Sequence, residues 1–240
     1  MKKSFEVTIP VLNEELRLES GIRSTFDYFD CKDLTNWAVV IADNGSDDAT
    51  PALSRQLCFE YGNRLRYIRI DQRGVGLAIR KAWLSSQADV VGYMDVDLAT
   101  ALQHLLDVEK TFDIYQADIV NGSRLLPQSD VTGRTFFREV LSRGLNLILK
   151  WRLKVNFTDA MCGFKFIKRE VALELLKQIP VMASWFVAAE LLIRGEWNKS
   201  IIVELPIVWN DDPNSKVKAG ELIRQYLGHI ERLRKERGVI

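Results

Sequence analysis

Two histidines, His104 and His229, are all that 240 residues supply, and they lie far apart in the chain. A histidine-based metal centre or a nucleophile–histidine triad is therefore not expected. Three cysteines, Cys31, Cys58 and Cys162, form no CxxC pair and leave one over, which points to a reducing compartment and no structural zinc. No apolar run approaches the roughly 18 residues that a membrane span needs. The 33 basic and 32 acidic residues nearly cancel, so nucleic acid is not an expected partner. The Met1-Lys2-Lys3 start runs into a strand pattern, not into the apolar segment of a signal peptide, and a cytoplasmic location is expected. What remains is ordinary globular usage, 47% hydrophobic and 27% charged, enough for one full core with an appendage.

Hydrophobic periodicity predicts an alternation of strands and helices. Phe5 to Ile9 reads as a strand ended by Pro10, and Asn13-Glu14-Glu15 opens an amphipathic helix running to Phe29. Trp37 to Ala42 is a continuous apolar run, as in a strand buried on both faces. Helix Ala52 to Tyr61, strand Leu65 to Ile70, helix Gly74 to Ser86, strand Val90 to Met94, helix Leu102 to Tyr115 and strand Ile119 to Asn121 follow. Short connections and this order predict an α/β fold, Rossmann-like, with a mostly parallel sheet and helices on both faces. Further on, Gly133 to Lys154 reads as a long helix with six basic residues against Glu139. Lys168 to Gln178 and Phe186 to Gly195 look helical, Ile201 to Leu205 and Ile207 to Trp209 strand-like, and Gly220 to Glu236 a terminal amphipathic helix.

The organising stretch is Val90-Val91-Gly92-Tyr93-Met94-Asp95-Val96-Asp97. A buried strand runs out into two aspartates at i and i+2, which on an extended chain share one side. Paired carboxylates at a sheet edge are costly unless a cation offsets them, and a hard divalent ion bridging to a diphosphate is the economical explanation. Chance alone supplies roughly half a DxD in a chain this long, so weight falls on the surroundings. Asn13, Asp43, Arg73, Asp95, Asp97 and Arg124 all follow predicted strand ends, where open α/β sheets bind ligands.

Other positions carry both a chemical and a plain structural reading. Asp43 is a candidate base or ribose reader, and also the start of a capped turn. Arg73-Gly74-Val75-Gly76 fails as a dinucleotide fingerprint, because Ile79 stands where a small residue is needed. It reads instead as a glycine turn bringing backbone to a ligand, or simply as a tight turn. Gly122-Ser123-Arg124 offers a guanidinium for phosphate oxygens. Arg138 and Ser142, at i and i+4, share a helix face able to hold one phosphate; a solvated face over core leucines is equally open. Asp159 within the loop Asp159 to Lys165 could orient ligands, and Cys162 reads as a buried inert thiol. Glu190, in an otherwise apolar helix, faces either a site or a cation. Ser215-Lys216 is either a phosphate closure or a surface lysine.

Together, Pro10-Val11-Leu12-Asn13-Glu14, Asp43 to Thr50, Asp95-Val96-Asp97-Leu98, Gly122-Ser123-Arg124 and Cys162-Gly163-Phe164-Lys165 resemble, in order and spacing, family 2 glycosyltransferases of the GT-A fold. Within these the chain is similar to dolichyl- and polyprenyl-phosphate sugar transferases, the mannose and glucose synthases. The resemblance spans about residues 5 to 216 and implies a catalytic domain over residues 1–216, with the 133–154 helix as a membrane-interface element, followed by a C-terminal amphipathic helix over 217–240.

The resemblance implies an inverting, metal-dependent hexosyltransferase that moves a sugar from a UDP-glucose- or GDP-mannose-type donor to a polyprenyl or dolichyl phosphate. Pro10, Asn13, Glu14, Asp43, Arg73, Asp95 and Lys216 then bind the nucleotide sugar, and Asp95 and Asp97 hold Mg²⁺ or Mn²⁺. Arg124, Arg138 and Ser142 bind the acceptor phosphate, and Asp97, Arg124 and Glu190 carry catalysis. Asn44 and Ala188 depart from the family pattern, which usually has Asp at the first position and Asp or Gln at the second. Alternatives remain: a soluble glycosyltransferase acting on a hydroxyl, or a nucleotide-sugar-binding protein without catalysis. Expected partners are the donor, the acceptor and an anionic membrane face met by the basic helix; self-association stays open.

Overall fold

The computed structural model describes residues 2–211 and 219–238. Strand β1 (Phe5–Val11) lies between β2 (Trp37–Asp43) and β4 (Val90–Met94), and β3 (Leu65–Arg69) flanks β2, all parallel. Alternation decides which core each side chain joins. Val40, Ala42, Val91 and Tyr93 face one side of the sheet; Val39, Ile41, Val90 and Met94 face the other. Helices α1 (Leu18–Cys31), α2 (Thr50–Tyr61) and α4 (His104–Ile114) cover the second side. Helices α3 (Val75–Ser85), α5 (Phe136–Leu153), α6 (Arg169–Gln178), α7 (Phe186–Trp197) and α8 (Ala219–Glu236) pack into the first. Tyr226, Ile230 and Leu233 of α8 belong to that core, so the C-terminal helix is built into the domain.

The sheet has seven strands in the order β3-β2-β1-β4-β7-β5-β8, where β5 is Ile119–Ser123, β7 Phe164–Lys168 and β8 Ile202–Pro206. Strand β7 is antiparallel to both β4 and β5, and β8 is parallel to β5. The mostly parallel expectation holds, with one reversed strand between β4 and β5. That strand corrects the sequence reading, which treated Asp159 to Lys165 as a loop. Lys165 in mid-strand breaks the apolar pattern, yet it is fully buried. A two-stranded ribbon, β6 (Asp130–Thr132) with β9 (Val208–Asn210), sits beside the main sheet.

Two boundaries also differ. Strand β1 continues through Pro10, because beyond Thr8 it pairs with β2 alone and a residue without an N–H is tolerated there. Helix α1 begins only at Leu18, because the backbone N–H groups of Asn13 and Glu14 are taken by Ser46 and Thr50. The topology has one consequence for the site. Strands β1 to β5 and β8 end at the same sheet edge, and reversed β7 begins there, so the Asp159–Gly163 loop meets the other strand ends.

Candidate active site at the strand ends

The loops after β1 and β2 are sewn together. Asn13, at φ 55°, donates its backbone N–H to Ser46 Oγ at 2.9 Å and accepts from the Asp47 N–H at 2.9 Å. Glu14 N–H donates to Thr50 Oγ1 at 2.9 Å, and its carboxylate pairs with Arg17 at 3.1 Å. Asp43 is fully buried. It accepts from Ser46 N–H at 2.8 Å, Tyr67 hydroxyl at 2.6 Å and Arg69 Nη1 at 2.9 Å. Its carboxylate organises the loop as placed, and Tyr67 and Arg69 are partners that sequence reasoning did not name. Pro10 lies half-buried at the end of β1. Arg73 lies exposed at the rim, 3.1 Å from Asp47.

Past β4 the chain turns at once. Leu98, at φ 54°, returns its N–H to the Asp95 carbonyl at 3.2 Å. The two aspartates therefore sit on a turn, not on the extended chain that their spacing suggested, and the turn still leaves them near enough to repel. Burial, then the charge of Asp97, raise the Asp95 carboxyl to about 7 against the pull of Arg124. Gly163 lies against this carboxylate, and a Cβ there would come within 2.1 Å of Asp95 Oδ2. Asp97 is exposed and accepts from the Ala99 N–H at 3.1 Å. It lines a cavity of about 380 Å³ with Arg17, Ser20, Ser24, Asn210 and Asp211.

Arg124, leaving β5, faces the Asp159 loop. Its Nε and Nη2 donate to Asp159 at 2.8 and 3.0 Å, its backbone N–H at 3.1 Å, and its guanidinium stacks 4.9 Å from the Trp209 ring. Burial opposes both charges, but each outweighs that on the other: Arg124 is held above the ordinary range and Asp159 below it. Beneath them Glu204 accepts from the Thr158 N–H at 2.7 Å and from Asn121 Nδ2 at 3.1 Å, and Asn121 also receives the Lys165 ammonium. Burial lowers Lys165 to about 8 and pushes the Cys162 thiol up to about 12, as an inert thiol requires. On α5, Arg138 pairs with Asp211 at 3.1 Å, and the Ser142 hydroxyl is buried without a hydrogen-bond partner.

A domain model for glycosyl transferase family 2 matches residues 6–176. The chain belongs to this family. Glycosyltransferase AglD of Haloferax volcanii is 31% identical over 224 residues, which is 92% of this chain and 35% of that protein. The human dolichyl-phosphate beta-glucosyltransferase is 28% identical over 227 residues, 90% of this chain and 70% of that protein. The chain thus spans about a third of the first relative and more than two thirds of the second. Among solved structures, glucosyl-3-phosphoglycerate synthase from Mycobacterium tuberculosis, in complex with Mn²⁺ and UDP-glucose, superposes with a TM-score of 0.68 at 17% identity, over 97% of this chain and 79% of that one. That likeness concerns the fold, and it agrees with the α/β architecture expected from sequence.

Two features of this family 2 chain depart from the expected site. Glu190 is wholly buried, and both its oxygens are taken: Arg194 Nε donates to one at 2.8 Å, Arg232 of α8 to the other at 2.5 Å. Glu236 bonds the same two arginines at 2.6 and 2.7 Å, closing a four-membered ion network. The sequence reading offered a site or a cation for Glu190, and the structure supplies the cations. Gly74 and Gly76 serve packing: a Cβ on either would fall 2.5 Å from Ala183 or Met182, so they let α3 close on the 182–184 segment. Lys216 lies outside the described residues. Arg134 and Asp211, unassigned at the sequence level, join the site from the α5 start and the β9 exit; their signal was the basic run and the acidic pair Asp211-Asp212.

Proposed function

We propose that the chain transfers a hexose from a nucleotide sugar to a polyprenyl or dolichyl phosphate, with inversion at the anomeric carbon. One observation carries this reading above all: the carboxylate pair Asp95/Asp97 and the Arg124–Asp159 pair share one sheet edge, with Asp159 already neutralised by a guanidinium. A phosphate monoester near pH 7 is anionic and attacks without giving up a proton, so a site rich in arginine with its nearby carboxylate capped suits it. The anomeric carbon gains an acceptor phosphate oxygen and loses the diphosphate oxygen. The named acceptors of the human relative support the same choice.

Pro10, Asn13, Glu14, Asp43 and Arg73 frame the nucleoside in this reading. Asp95 and Asp97 fit a hard divalent ion, Mg²⁺ or Mn²⁺. The Asp95 carboxyl is raised first by burial and then by the Asp97 charge, both of which a bound cation would offset. Among the described residues no third His, Cys, Asp or Glu completes a metal cluster. When bound, the ion neutralises the departing diphosphate. Arg124 and Arg138, with the Ser142 hydroxyl, bind and orient the acceptor phosphate.

Helix α5 supports delivery at a membrane face. Phe136, Val140, Leu147 and Trp151 are 84, 49, 68 and 65% exposed and fall on one stripe, which Arg143 and Lys154 share. An apolar stripe with basic neighbours suits an anionic interface. No helix among the described residues is long and apolar enough to cross a membrane.

The alternative, transfer to a hydroxyl, needs a carboxylate to take the acceptor's proton, and Asp159 and Glu190 are both held in buried ion pairs. A panel of UDP- and GDP-hexoses with dolichyl phosphate, a glycan and a small polyol as acceptors separates the two. Lipid-linked product that needs a divalent ion supports the proposal; product on a hydroxyl acceptor alone overturns it.

A further inference from the structure

We propose that Arg134 is a third guanidinium of the acceptor-phosphate site, beside Arg124 and Arg138, and that the Asp211 carboxylate occupies that site until a phosphate monoester displaces it. This rests on the phosphate-acceptor reading above.

Arg134 is under-bonded where it sits. Its side chain is 8% exposed. Nη1 has no hydrogen-bond partner, Nη2 reaches the Arg138 carbonyl only at 3.4 Å, and Nε lies 3.0 Å from Glu139 without hydrogen-bond alignment. Glu139 is shared with Arg143, which holds it at 2.6 Å. A buried guanidinium has five N–H donors, and native structures seldom leave them idle. Burial first, then the neighbouring charge of Arg124, disfavour the Arg134 cation; Asp159, Glu139 and Asp211 favour it. An anion that met Arg124 and Arg134 together would relieve both strains at once.

Asp211 already holds one of the three guanidinia. It lies 3.1 Å from Arg138 Nη1, and its charge also stabilises Arg124 and Arg134. Its backbone is fixed: the Asp211 N–H donates to the Thr132 carbonyl at 2.9 Å, and Gly133, at φ +71°, lets the α5 approach close over the Asp211 carbonyl. Its side chain has somewhere to go, because Asp211 also lines the cavity beside Asp97. A phosphate monoester brings three oxygens and nearly two charges against two oxygens and one, so it outcompetes the carboxylate for fork-shaped donors. The unpartnered Ser142 hydroxyl, one turn beyond Arg138, is a further donor for it.

The test is calorimetric binding of inorganic phosphate and of a short-chain polyprenyl phosphate to the full chain, without donor. Asp211→Asn removes the competitor and binds both probes about 10-fold tighter; Arg134→Met binds both about 10-fold weaker. In turnover assays the KM for donor stays put while the acceptor KM follows the binding. If thermal melts show Arg134→Met unfolded, Arg134→Lys is read instead and shows a smaller loss in the same direction. Unchanged or weaker binding to folded Asp211→Asn, or unchanged binding to the folded Arg134 variant, overturns the inference. Wild-type chain that makes lipid-linked product while Asp211→Asn binds no tighter sinks this inference alone. Wild-type chain that binds neither probe and glycosylates a hydroxyl sinks the phosphate-acceptor reading with it.

Discussion

The Arg124 guanidinium and the Asp159 carboxylate lock side-on, Nε to Oδ2 at 2.8 Å and Nη2 to Oδ1 at 3.0 Å, with the Asp159 side chain wholly out of solvent. The pair joins the end of β5 to the loop that leads into β7. It places a fixed positive charge where Asp95 feels it.

Breaking that pair strands a buried carboxylate. Arg124→Ala is expected to destabilise the fold by about 3–5 kcal/mol, as for other buried ion pairs that lose one partner. Arg124→Lys recovers part of the stability and little of the acceptor binding, because an ammonium cannot make the fork. Urea unfolding and acceptor KM measure the two effects separately.

Glu190 is expected to matter for folding more than for chemistry. Glu190→Gln leaves Glu236 as the one carboxylate shared by Arg194 and Arg232 and loosens α8 from α7, at a cost of about 1–3 kcal/mol. Turnover per folded molecule stays close to wild type. A stable variant with turnover lost would return Glu190 to the reacting centre.

Asp95 gives the chain a pH signature. Its carboxyl is raised from 3.8 to about 7 by burial and by Asp97. Between those values the folded state keeps a proton that the unfolded chain has lost, so the Asp95 contribution to metal-free stability is greatest at the acid end and is lost as pH rises through about 7. A divalent ion expels that proton, so Mg²⁺ raises the melting temperature more at about pH 8 than at about pH 5. Asp97→Asn removes the repulsion and flattens the metal-free slope. Melting curves across pH, with and without Mg²⁺, decide it.

The α5 stripe predicts adsorption to anionic vesicles in a flotation assay, weakened by salt. Replacing Phe136, Leu147 and Trp151 by serine leaves the melting temperature near wild type, since these side chains are largely exposed, and abolishes flotation. Equal flotation of the triple variant would move the membrane contact elsewhere.

Much of this was legible in the chain. The apolar runs of β2 and β4 are buried on both faces and say so in one dimension. The residues predicted to follow strand ends do gather at one edge, because parallel strands put their exits together. Strand β7 was hidden, since Lys165 reads as solvent-facing until Asn121, from a neighbouring strand, meets its ammonium. Glu190 was half legible: Arg194 stands at i+4 on the same helix, but the second partner, Arg232, lies 42 residues away and no local pattern announces it. Asp211 is brought to Arg138 beside the β6–β9 ribbon, a pairing of two short strands that periodicity does not reveal.

The central claim is that Asp95 and Asp97 hold a cation which in turn holds a diphosphate. Titration of UDP and GDP into wild-type and Asp97→Ala chains, with and without Mn²⁺, tests it most directly. The account predicts that Mn²⁺ strengthens nucleotide binding to the wild type by at least about 10-fold and leaves a folded Asp97→Ala unaffected. Equal Mn²⁺-dependent binding to both chains would contradict it.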